Sequence, residues 1–325
     1  MKRNDVRSRC IPGIMGSVQN HMKNRYGGHN MVETLKDVLV CAPAAAGWHS
    51  GVQAGRWQEL GFLHEPRFAD AEQQHALLRQ ALEAAGCEVR MLEPSDGLTI
   101  DATYTHDASF LTDLGALCLR MGKPSRALEP QTHRTFYETH GVPILGVMEP
   151  PAAAEAGDLL WLNSKTLLVG RGFRTNDAGI EWLKRRLNPH GVTILSVPLP
   201  HGRGPDACLH LMSLMSMLDS TTALVDLPLL TVETVELLHS KNVRLVEIEE
   251  SERATLAANV LSLGESRLLA FEENPKTNAR LRSLGYHVAT FPGGEIGING
   301  GGGPTCLTRP ILRSPVISGR QNTRP

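Results

Sequence analysis

Apolar positions along most of the chain recur at helical spacing, stop at a single residue, and resume as a short run rich in Val, Ile and Leu. This unit occurs five times, over 81–86 into 89–92, 136–141 into 142–147, 183–191 into 192–197, 235–242 into 243–248, and 279–285 into 287–291. The stops are Gly86, Gly141, Gly191, Asn242 and Gly285. Glycine and asparagine tolerate the left-handed conformation in which helices commonly end, so each unit predicts a helix, a left-handed cap and a strand.

Successive stops lie 43 to 55 residues apart. A period near 50 predicts stacked or radially arranged units, none of which buries its apolar face alone. An ordinary α/β protein also alternates helices with strands, but here chemically able residues fall at a similar phase of each unit. Asp107, Glu155, His210, Asn259 and Cys306 follow the five stops by 14 to 21 residues. If the units surround an axis, these residues converge on one central cavity. The repeats are expected to form one catalytic domain over residues 31–313, flanked by a polar, flexible arm over 1–30 and a flexible tail over 314–325.

Composition narrows the class. The 325 residues are 41% hydrophobic and 21% charged, with a formal net charge of −1, which gives no reason to expect a nucleic-acid or membrane partner. No apolar run approaches the roughly 20 residues of a spanning helix, and the basic start lacks the apolar stretch of a secretory signal. The six cysteines are dispersed, without the spacing of a zinc site or a disulfide framework. A cytoplasmic protein without a metal is expected. A homodimer is compatible with the sequence, which does not choose an oligomeric state.

Cys306 follows a run of four glycines and Pro304-Thr305. Glycines remove side-chain bulk and leave backbone N–H groups to face negative charge, which suits a nucleophilic thiol as well as a plain flexible loop. An unperturbed cysteine thiol ionises at about pH 8.5, so near neutral pH it needs a base or a positive neighbour. Of 13 histidines, His210 stands out because the segment around it is otherwise apolar, although a satisfied core histidine looks the same. Asp107, Glu155 with Asp158, and Arg174 complete the candidates; taken singly, each fits a routine strand start, turn or cap. Paired carboxylates suit a guanidinium, which presents five donors in a rigid fork.

Taken together, Tyr104-Thr105-His106-Asp107, Glu155-Ala156-Gly157-Asp158, Arg174-Thr175-Asn176, His210-Leu211, Ala257-Ala258-Asn259 and Thr305-Cys306 resemble the guanidino-group-modifying superfamily. Its members are arginine deiminases, amidinotransferases and, most similar here, dimethylarginine dimethylaminohydrolases. The resemblance covers about Val32 to Arg313 and implies the pentein fold, an α/β five-bladed ββαβ propeller. It implies Cys306 as nucleophile, His210 as general acid/base and Glu155 as a carboxylate that binds the guanidinium and supports His210. Asp107 would grip the guanidinium and Arg174 the substrate carboxylate, with no organic cofactor. Asp158 reads as a structural carboxylate, and Asn259 receives no role.

Two positions depart from the family pattern. Ala156 replaces a glycine, and Met212 stands where deiminases and amidinotransferases usually carry Asp. On an extended segment Met212 would share a face with His210 and favour an apolar N-substituent. The expected activity is hydrolysis of a small-molecule guanidine to a ureido product. Transfer of the amidino group to an amine and non-catalytic guanidine binding are the alternatives. Residues 47–66, with Trp48, Trp57 and Phe62, read either as a lid or as packing.

Overall fold

The computed structural model describes residues 26–205, 207 and 209–314, so most of the expected arm and all but the first residue of the expected tail lie outside the described residues. Residues 26–30, assigned from sequence to the flexible arm, are packed: the Gly27 N–H donates to the Ile311 carbonyl at 2.8 Å, and the His29 ring stacks on Trp161.

Five three-stranded sheets make up the α/β core. In four of them two consecutive antiparallel strands are followed by a helix and a third strand parallel to the second, as in Leu159–Asn163, Thr166–Arg171, helix Asp177–Leu187 and Thr193–Pro198. The remaining sheet joins distant parts of the chain. Thr34–Val40 pairs in parallel with Glu88–Met91 and antiparallel with Arg309–Ser314, the last described strand, with Leu39 opposite Arg309. The sheets are the five blades of a closed ring. Buried clusters fill the seams between consecutive blades, and the largest joins the blade built on Thr34–Val40 to both of its neighbours.

Gly86, Gly141, Gly191, Asn242 and Gly285 all have φ between 58° and 95°. A Cβ built on any of the four glycines meets nothing within 4 Å, so backbone conformation and not space selects the residue. Asn242 meets the same requirement with a side chain. Among the described residues no helix is long and apolar enough to cross a membrane.

Candidate active site

Each chemically able residue stands just before the strand that pairs antiparallel with the middle strand of its blade. Asp107 precedes Ser109–Thr112, Glu155 precedes Leu159–Asn163, His210 precedes Met215–Met217, Asn259 precedes Leu261–Gly264 and Cys306 precedes Arg309–Ser314. The shared phase seen in the sequence is therefore a shared position in the blade. Asp107, His210 and Cys306 line one cavity of about 700 Å³, together with Arg126 and Arg174. Glu155 and Asn259 are buried beside them.

His210 is held between two carboxylates. Its Nε2 lies 2.8 Å from Glu155 Oε2 and its Nδ1 lies 3.8 Å from Asp107 Oδ1. Gly157 permits this approach, because a Cβ there would stand 2.5 Å from His210 Nδ1. The other Glu155 oxygen accepts from the Gly122 and Lys123 N–H groups at 2.8 and 3.1 Å, and Arg174 Nη1 lies 3.6 Å from it. Burial opposes ionisation of Glu155, but the hydrogen bond and charge of His210 outweigh it and lower its pKa. At Asp107 burial is likewise outweighed, by the charges of His210 and Arg126, and its carboxyl is held well below the usual range. Asp158 differs: burial raises it to about 6, while it accepts from the Thr175 hydroxyl and the Leu211 N–H.

At Cys306 the sulfur accepts from Asn259 Nδ2 at 3.3 Å. The same amide donates to the Met212 carbonyl at 2.9 Å and accepts from the Thr305 N–H at 2.9 Å, giving Asn259 the role that sequence left blank. Gly303 packs so closely on Asn259 that any side chain there would collide with it. Burial pushes the thiols of Cys41, Cys87 and Cys118 upward, as expected of inert core cysteines. Cys306, by contrast, opens onto the cavity with its sulfur on a donor.

One expectation is overturned. Residues Leu211–Leu214 form a helical turn, so Met212 does not share the face of His210. Its side chain is 2% exposed and packs with Leu160, Met215 and Met217, while Ser213 and Leu214 line the cavity instead. Arg126 escaped the sequence reading. Its guanidinium donates to Asp107 Oδ2 at 2.6 Å, to both Glu129 oxygens at 2.8 Å and to the Tyr104 carbonyl. The only local signal was the Arg126/Glu129 spacing, which reads as an ordinary ion pair. Residues 47–66 divide between both readings: Trp48 and Phe62 are buried and pack edge to face, whereas Leu60, Gly61 and Leu63 line the cavity.

Donor atoms of Asp107, Glu155 and His210 lie within 4.8 Å of one another, a spacing that metal ligands can share. All four carboxylate oxygens already accept from protein donors, namely Gly157 N, Arg126, the Gly122 and Lys123 N–H groups, and His210. Two arginines also lie against the pair, so an ion would have to displace these bonds.

The arginine deiminase family model matches residues 100–237 and 229–313. The N(G),N(G)-dimethylarginine dimethylaminohydrolase of Streptomyces coelicolor is 31% identical over 217 residues, 67% of this chain and 77% of the relative. Among solved structures, a cysteine-to-serine mutant of the dimethylarginine dimethylaminohydrolase from Pseudomonas aeruginosa, complexed with citrulline, superposes with a TM-score of 0.69. It is 23% identical, over 85% of this chain and 99% of that one. The N-terminal domain of ArgZ, a cyanobacterial arginine dihydrolase, covalently bound to a reaction intermediate, gives 0.73 at 19% identity, over 85% and 98%. By its family-model match and its relatives, this five-bladed chain belongs to the arginine deiminase family of the guanidino-group-modifying superfamily.

Proposed function

We propose that the chain is a cysteine hydrolase that cleaves a C–N bond of a guanidine or arginine derivative, giving a ureido product and an amine or ammonia. The observation that carries this is the convergence of the Cys306 thiol and the carboxylate-held His210 on one cavity. Cys306 sulfur attacks the guanidino carbon to form a C–S bond; His210 gives a proton to the departing nitrogen, and the C–N bond breaks. A thiouronium-type intermediate remains on sulfur. His210 then takes a proton from water as its oxygen attacks the same carbon, and the C–S bond breaks to return the thiolate.

Asp107 and Glu155 supply the negative charge that holds the substrate cation, and Arg174 on the cavity wall meets an anionic substrate end. Orientation of this kind contributes up to roughly 7 to 11 kcal/mol in favourable cases. The cysteine-to-serine relative that holds citrulline and the relative caught as a covalent intermediate support the same chemistry here. Residues 31–313 would form the catalytic unit.

The test is a screen of arginine, N-methylated arginines and simple guanidines for ureido product, with wild type and Cys306→Ser. Wild type should form product and the variant none, with melting temperatures within a few degrees. Product from Cys306→Ser would eliminate the nucleophile, and a new guanidine formed only with added amine would establish a transferase.

A further inference from the structure

Arg309 stands three residues beyond Cys306, at the start of the strand Arg309–Ser314, and is 4% exposed. Among the described residues no carboxylate lies within ion-pair distance of its guanidinium, which is attracted only from farther off by Asp107, and its Nε has no hydrogen-bond partner. Its Nη1 instead donates to two backbone carbonyls, Ser109 at 2.6 Å and His106 at 3.2 Å. Its Nη2 lies 3.2 Å from both ring nitrogens of His106, and its Cζ is 5.7 Å from the centre of the Phe110 ring. A buried guanidinium without an acid is costly, and an apolar residue would fill such a core site at lower cost.

The placement of the two carbonyls gives that charge a use. His106 and Ser109 flank Asp107 along the chain, so one guanidinium brackets the backbone that carries the carboxylate. Three further bonds join the same segments: the His106 N–H to the Cys306 carbonyl at 3.1 Å, the Thr105 hydroxyl to the Leu307 carbonyl at 3.1 Å, and His106 Nδ1 to the Thr308 carbonyl at 2.8 Å. We infer that Arg309 is a positioning residue, whose fork clamps the Asp107 segment to the Cys306 segment and sets the nucleophile against the carboxylate that receives the substrate cation. The inference rests on the proposed roles of Asp107 and Cys306. Lysine keeps the charge but not the planar fork, so it should not replace Arg309.

The clamp is tested without turnover by alkylating Cys306 with a matched pair of reagents, cationic chloroacetamidine and its neutral isostere chloroacetamide. Both need the thiol, but only the cation gains from a correctly placed Asp107. Wild type should prefer the amidine, and the ratio of the two rates should fall at least tenfold in Arg309→Met and Arg309→Lys, because a misplacement of about 1 Å costs on the order of 10²-fold. The chloroacetamide rate should change less than threefold. A ratio within threefold of wild type in Arg309→Met, or full rescue by Arg309→Lys, would overturn the clamp, as would a wild type that shows no preference. If Arg309→Met does not accumulate as folded protein, Arg309→Lys decides alone. Ureido product from wild type is measured separately, so a failed clamp and a failed hydrolase assignment give different results.

Discussion

Glu155→Gln offers a direct test of how the proposed acid/base group, His210, is tuned. The amide matches the carboxylate in size, and its carbonyl oxygen must stay toward the Gly122 and Lys123 N–H groups, which bond at 2.8 and 3.1 Å. Its NH₂ is then directed at His210 Nε2, 2.8 Å away in the wild type. Two donors cannot share one bond, so His210 must present a bare Nε2 and hold its single proton on Nδ1. The variant thus loses the charge-assisted bond to imidazolium, worth about 1.5 to 3 kcal/mol, or roughly 10- to 150-fold in the population of the proton-donating form. General acid–base catalysis contributes typically about 10² to 10⁴-fold, so kcat should fall on the order of 10²-fold or more. The assay is colorimetric detection of ureido product at saturating substrate, with denaturant unfolding to verify folded enzyme. A kcat within threefold of wild type would show that the Glu155–His210 pair does not set the protonation needed for catalysis.

Three further outcomes are expected. Asn259→Ala leaves the Thr305 N–H and the Met212 carbonyl without their partner, each costing about 1 to 3 kcal/mol, and should also slow Cys306 alkylation; unchanged stability and alkylation together would refute its role. Met212→Leu should leave the preference between methylated and plain arginine unchanged within threefold, whereas Met212→Asp should lose folded protein by burying a carboxylate among apolar side chains, as read by thermal melting. Asp158 has a folded pKa of about 6, raised from 3.8, so wild type loses stability as pH rises from about 4 to 6 while its carboxyl ionises; measured against Asp158→Asn, the wild-type advantage should shrink over that window and hold constant above it.

The five-fold plan was legible because caps and helix periodicity are local. Gly141 and Asn242 mark their units through a backbone requirement that acts within one turn, and the common phase of Asp107, His210 and Cys306 followed from it. Arg126 was not legible, since its bond to Asp107 is created by a 3-10 turn packing across the blade rather than by a recognisable pattern. Met212 was misplaced for a local reason: the short, mostly apolar stretch Leu211–Leu214 fits a strand or a single helical turn equally well, and the Ser213 hydroxyl that caps the His210 N–H selects the turn. The pairing of Thr34–Val40 with Arg309–Ser314 spans nearly the whole chain and leaves no trace in periodicity.

That pairing has a consequence for biosynthesis. During synthesis four blades, with Asp107, Glu155, His210 and Asn259, emerge before the thiol does. Cys306 is translated just ahead of the strand that closes the ring, so a ribosome stalled earlier yields a chain with the proposed acid/base residues and without the proposed nucleophile. Premature stops ahead of codon 306 would then leave products that lack the proposed nucleophile, and that thiol is added only just before the strand that closes the ring.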